Sequence, residues 1–462
     1  MQGLGATWRG VVVVTVSCVL GLVLSVALVD GAAAAPTTAG TTVPPPPRTS
    51  GQCFQKLVMQ CYSPQQVQRA YGLTRLYDRG YDGRGRTIVI VDPFGSPTIA
   101  HDLSVFDAGF GLPAPPHFRI LTPQGPIPAF DPADPLYRQM VVKAGETTLD
   151  VEWAHAIAPG ANIVLVETPA EELPSGGGFS QMMAAENHVI NKGIGDVISQ
   201  SFSLPEQNFG RRAIDRLRSA YENAYRHHVS VLAATNDNGV TGPTAAGGYY
   251  PHRVVQWPAT DPLVTAVGGT ALHLNAGGGR TYPDTAWNDT YNPWVTSLLS
   301  NATPWPWASS GGVSAIFRRP RYQDDVRRLV GPRRGVPDIS MSAAFSGGVA
   351  IYESFAKATA GWGPAGGTSE ATPEFAGILA IADQYAHRRL GLVNPYLYAL
   401  AARHARGLVD VTQGNNSVAF RLPTGGTYEI RGYQAQRGYD LVTGVGTFNA
   451  ALLIPELAAA SR

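Results

Sequence analysis

The chain has 462 residues, 44% of them hydrophobic and 15% charged, with a formal net charge of +1. That balance suits a packed globular protein and excludes an intrinsically disordered one. Nothing in the charge total calls for a nucleic-acid or anionic-membrane partner.

From the N-terminus, Arg9 precedes an apolar run over 11–29, and Ala32, Ala33 and Ala34 supply small residues at signal-peptidase spacing. Residues 1–34 therefore read as a secretory signal peptide. The run is about as long as a bilayer span, so a membrane anchor left uncleaved is the competing expectation. Residues 35–52 are rich in Pro and Thr and form a flexible or extended linker. Residues 53–462 look globular throughout, with no internal repeat. Of three cysteines, Cys18 leaves with the signal. Cys53 and Cys61 remain, and a small disulfide loop is expected in an oxidising compartment.

Apolar β-rich runs at 87–91 (TIVIV), 161–166 (ANIVLV), 197–199 (VIS), 230–234 (SVLAA) and 264–267 (VTAV) alternate with helical patterns such as 147–157 and 211–227. Near-continuous apolar strands spaced by helices predict an α/β fold: a doubly wound, mainly parallel sheet with helices on both faces. Sites on such sheets form beyond the carboxyl ends of the strands. Asp92 and Asp237 fall there.

The segment GGTSEATP (366–373) carries the clearest chemistry. Its glycines permit a tight backbone path, and a helical run over 373–389 follows, with Pro373 expected in the first turn. Ser369 then stands at a helix N-terminus, where the dipole favours a developing negative charge. It can serve as a nucleophile or as a plain N-cap. Glu146 and Asp150, four apart on a predicted helix, share a face. They can form an exposed acidic face, but Leu149, Val151 and Trp153 point to a helix packed into the core.

The motif Gly-Thr-Ser-x-x-x-Pro resembles the nucleophile segment of the sedolisin (serine-carboxyl peptidase) family of the subtilisin-like clan. Further segments match in the family's order: GETTLDVEWAHAIAPGA (145–161), AATNDNG (233–239), VTAVGGT (264–270), SGGVS (310–314) and RGVPD (334–338). The resemblance runs from about Cys53 to Asn449. It implies a subtilisin-like fold and catalysis by Ser369, with Glu146 as base, Asp150 supporting it and Asp237 at the oxyanion. A carboxylate stays ionised in acid where imidazole does not, and two nearby carboxyls share a proton. An ionised Asp237 would repel an oxyanion, whereas a neutral one donates to it. An acidic optimum is therefore expected. Asp92 stands where many family members carry Glu and is expected to join the network around the acids. A triad of Asp92, His155 and Ser369 is the alternative for a neutral subtilisin-type peptidase, but His155, five residues past Asp150, points off the acidic face.

The resemblance also implies one structural Ca2+ ion, with carboxylates from Asp410 and Asp440 and carbonyls from Val411, Gln436 and Gly438. Relatives often carry Gly where this chain has Gln436. Relatives usually carry a large pro-domain too, whereas about twenty linker residues separate Ala34 from Cys53. The expectation is a secreted, monomeric endopeptidase acting on proteins or peptides, with a non-catalytic binding protein on the same fold as a further alternative.

Overall fold

The computed structural model describes residues 43–48, 51–53, 60–170, 172–173, 175–293, 295, 304–355, 360–422 and 425–461. The expected signal peptide at 1–34, with Cys18, and much of the 35–52 linker lie outside the described residues. The described linker piece 43–48 has no regular secondary structure and lies against the body: the Trp362 indole N–H donates to the Pro44 carbonyl at 2.8 Å. Cys53 and Cys61 form the expected disulfide, with their Cα atoms 5.5 Å apart. Among the described residues no helix is long and apolar enough to cross a membrane.

Eight strands build the central sheet: β1 (Thr87–Pro93), β2 (Phe118–Leu121), β3 (Asn162–Thr168), β4 (Val197–Gln200), β5 (Ser230–Ala234), β6 (Thr265–Ala271), β7 (Thr285–Ala286) and β8 (Ile339–Ser342). Their spatial order is β7-β6-β5-β4-β1-β3-β2, and β8 pairs with β6. Every pairing is parallel except that of β7 with β6.

The two-residue alternation of a strand divides the apolar runs between two cores. Ile88, Ile90, Ile163, Leu165 and Leu232 face one side, packed with α2 (Tyr137–Ile157) and α5 (Thr368–Ala386). Val89, Val91, Val164, Val166, Val231 and Ala233 face the other, under α3 (Phe179–Asn191) and α4 (Ser219–Arg226). Helix α1 (Ile99–Phe110) lies beside α2. The doubly wound sheet follows from β-branched strands buried on both faces.

Three elements depart from the sequence expectation. Helix α2 begins ten residues before the predicted 147, carrying Gly145 in its buried interior, where packing overrides glycine's poor propensity. The predicted helix over 211–227 breaks at Arg218 (φ −64°, ψ −4°). There the guanidinium reaches Asp261, with Nε donating to Oδ2 at 2.9 Å. Helix α5 starts at Thr368, so Pro373 sits inside it rather than in its first turn. Proline has no N–H, so the Ser369 carbonyl lacks its usual donor four residues on.

Candidate active site

Helix α2 is buried along almost its whole second half, Lys143–Ile157. Its Glu146 and Asp150 are 2% and 0% exposed, so the acidic-face alternative does not hold. Asp92, also buried, comes from the end of β1, inside the strand rather than just after it. Ser369 is the second residue of α5 and 5% exposed.

Helices α2 and α5 pack directly on one another. A β-carbon added at Gly377 would lie 2.8 Å from both Cβ and Cγ2 of Ile157. This close crossing brings the start of α5 against the middle of α2.

Burial dominates the electrostatics. It raises the pKa of Glu146, against which Lys143 and the Ser369 hydroxyl pull downward. Both Glu146 carboxyl oxygens are shut from solvent without a well-formed hydrogen bond, and the Ser369 hydroxyl is the one hydroxyl that acts on their ionisation. Asp150 is pushed well above the usual carboxylate range by burial, then by Asp92 and Glu146. Asp92 is raised to about 7 by burial, then by Glu146. Three carboxyls thus share one desolvated space and cannot all ionise together.

Asp237 arrives from the other side, on the loop after β5. Its Oδ1 accepts the backbone N–H of Thr368 at 2.8 Å and the Thr368 hydroxyl at 2.9 Å. The neighbouring Asn236 has φ 83° and donates from Nδ2 to the Ser203 carbonyl at 3.1 Å. Gly367 (φ +96°) must lack a side chain: a β-carbon there would stand 2.6 Å from Asp237 Oδ2. Burial raises Asp237 to about 7, against the Thr368 bonds, with Glu146 adding to the rise. The arrangement joins a hydroxyl to a proton-accepting carboxyl and sets a second, readily neutral carboxyl beside it.

The sequence model described as "Subtilase family" matches residues 142–415, more than half of the chain. The chain belongs to the subtilase family. Within it, the relatives place this subtilase in the sedolisin branch. It is 30% identical to kumamolisin of Bacillus sp. (strain MN-32) over 400 residues, covering 85% of this chain and 63% of that one. It is 31% identical to sedolisin of Pseudomonas sp. (strain 101) over 320 residues, covering 67% and 48%. The chain thus spans less than two thirds of the length of these curated relatives. The structure of Pseudomonas sedolisin (serine-carboxyl proteinase) complexed with two molecules of pseudo-iodotyrostatin superposes with a TM-score of 0.69 at 26% identity, covering 87% of this chain and all of that one.

In this subtilase His155 is held elsewhere. Its Nε2 lies 2.8 Å from the Pro113 carbonyl and 3.3 Å from Asp107 of α1, on the far side of α2 from the acids. Hydrogen bonds tie four of the expected calcium residues in two pairs. Asp410 accepts from the Gly438 N–H at 2.9 Å, and Asp440 accepts from the Gln436 N–H at 3.0 Å. The two carboxylates are donors of the kind a hard cation takes, although Asp440 also accepts from the N–H groups of Val442 and Thr443, both at 2.8 Å.

Sequence reasoning missed three residues at this site. Thr368 holds Asp237, and Lys143 pairs with Glu172 beside Glu146, with Nζ 2.8 Å from Oε2. Thr368 was visible in the motif as the serine's neighbour. Lys143 was visible only as a rarity, one of four lysines among 35 basic residues. Glu172 carried no local signal.

Proposed function

We propose that this chain is a serine-carboxyl endopeptidase that hydrolyses peptide bonds of proteins and works best in acid. The observation that carries the reading is the Ser369 hydroxyl set against buried Glu146, with Asp237 beside the same helix start. Ser369 Oγ adds to the scissile carbonyl carbon as Glu146 takes its proton, and Asp150 shares proton and charge with Glu146. The carbonyl oxygen becomes an oxyanion that receives a hydrogen bond from neutral Asp237. The proton on Glu146 then passes to the leaving amine as the C–N bond breaks. Water attacks the acyl ester with Glu146 again as base, releasing the new carboxyl end and returning Ser369 to its hydroxyl form.

The acidic optimum follows from sign. Asp237 is neutral below about 7 and loses its donor proton as pH rises through that value. The pairing of His155 with Asp107 and Pro113 gives the neutral-triad alternative no support. We further read the protein as a secreted monomer whose peptidase unit spans 53–462, with one calcium ion held by Asp410, Asp440 and the carbonyls of Val411, Gln436 and Gly438.

A pH–rate profile on an unfolded protein substrate tests this. Parent protein should turn over fastest below pH 7, Ser369→Ala and Glu146→Gln should be inactive, and His155→Ala should retain the profile. An active Glu146→Gln beside an inactive His155→Ala would sink the reading. In the same preparation, chelation should lower the melting temperature and added calcium restore it. An unchanged melting temperature removes the metal from the proposal.

A further inference from the structure

The catalytic helix contains a buried cation that the mechanism above leaves unused. Lys143 lies one turn before Glu146 on α2, and its Nζ is 2.8 Å from Glu172 Oε2. The Lys143 and Glu172 side chains are only 8% and 0% exposed, so neither charge is screened by water. Glu172 is anchored in turn. Its Oε1 accepts the Ser203 N–H at 3.0 Å, and the Ser203 carbonyl accepts Asn236 Nδ2 of the Asp237 loop. The ion pair is thus tied to the base helix at one end and to the oxyanion loop at the other.

We propose that Lys143, clamped by Glu172, is a positioning residue that keeps Glu146 in its ionised, proton-accepting form while the other site carboxyls hold protons. This rests on the serine-carboxyl reading above. A buried ion pair is weak as a stability device, because desolvation offsets most of its attraction. Its position has an electrostatic consequence instead. Residues at i and i+3 on a helix are neighbours, so an ammonium at 143 favours the carboxylate at 146.

The groups facing Lys143 are Glu172 from the segment after β3, Glu146 and Asp150 from α2, and Asp92 from β1. Burial works against the ammonium, but Glu172, then Glu146 and Asp92, outweigh it and hold its pKa above the ordinary value. Lys143 therefore stays charged at every working pH. It is the largest influence pulling Glu146 down against burial, and a lesser one on Asp92 and Asp150. Glu172 shares the same cation, so it limits how far the base is lowered.

The two partners must therefore act in opposite directions. In Lys143→Met, the acid limb of the kcat/KM profile should rise by about one pH unit, with KM at the optimum little changed. In Glu172→Gln, which keeps the shape but frees the cation for Glu146, the acid limb should fall. Lys143→Arg should lie near the parent. Acid limbs that stay put, or that move in the same direction in both variants, overturn the inference.

Ser369→Ala, run alongside, shows whether the turnover being profiled is the proposed one. If it is not, the serine-carboxyl reading fails on its own. The Lys143 claim is then decided by infrared pH-difference spectra of the Glu146 carboxyl, assigned by its loss in Glu146→Gln. The same opposed shifts there uphold it, and identical titrations in all variants end it.

Discussion

At the scale of single residues, Asp237 decides what this site can do and when. In the proposed mechanism a carboxyl beside a forming oxyanion helps only while it carries a proton, and burial raises Asp237 to about 7. Two substitutions separate the proton from the shape. Asp237→Asn keeps a donor of similar size that does not titrate. It should retain measurable turnover and lose the fall in kcat that the parent shows as pH rises through about 7. Asp237→Ala removes the donor and should lower kcat about 100- to 1000-fold at every pH. A parent alkaline limb that persists unchanged in Asp237→Asn would assign that limb to another group. Gly367 belongs to the same argument, because the space a β-carbon needs is occupied by Asp237 Oδ2. The glycine before Thr-Ser makes room for the Asp237 carboxyl as well as shaping the turn.

Among elements, the crossing of α2 and α5 at Gly377, two turns along from Ser369, is the contact that would set the distance between the proposed base and nucleophile. Gly377→Val would press on Ile157 and on the Ala154 carbonyl, 3.2 Å from even the first added carbon. The helices must then separate. Overpacking of this kind destabilises by about 1–3 kcal/mol, and a shift near 1 Å at the reacting groups can lower turnover about 100-fold. The expected result is a folded variant with a reduced melting temperature and a kcat loss larger than its KM change. Full kcat in a destabilised protein would show that the crossing does not set the site geometry. Much at this scale was legible in the sequence, because it is written locally. The runs TIVIV and SVLAA became strands almost where expected, and the four-residue spacing of Glu146 and Asp150 placed them on one buried face. What was not legible depends on partners far along the chain. Arg218 interrupts a helical pattern as its side chain reaches Asp261, and Lys143 has meaning only through Glu172, 29 residues on. Pro373 inside α5 reverses the usual reading of proline as a first-turn residue, since that helix is fixed by packing on the sheet and on α2 rather than by its own start signal.

Across the whole molecule the carboxyls point one way. Glu152, Glu186, Glu370 and Glu374 are fully buried, far from any cation strong enough to offset desolvation, and all are pushed well above the usual carboxylate range by burial. Asp383 is raised to about 8, and Glu167 to about 7, by the same cause. Each of these groups holds its proton in the folded protein at a pH where the unfolded chain, with carboxyl pKa values near ~4, has lost it. The folded state then binds more protons than the unfolded state, so stability falls as pH rises. The contribution is complete below about 4 and drains away as pH climbs through the folded values of about 7 and 8. The melting temperature should accordingly be higher near pH 5 than near pH 8, the reverse of acid denaturation driven by salt-bridged carboxylates. Glu370 and Glu374 make the sharpest test, being one turn apart on α5 with all four carboxyl oxygens shut from solvent and only the Ser342 hydroxyl acting on Glu370 against burial. Replacing both by Gln removes two of the titrating groups without changing their size. The decline in melting temperature from pH 5 to 8 should become shallower, with the largest gain at the alkaline end. A parent protein that is more stable at pH 8 than at pH 5 would show that these carboxyls find solvent or a counter-charge, and the acid-adapted core would be wrong even if the catalytic site is right.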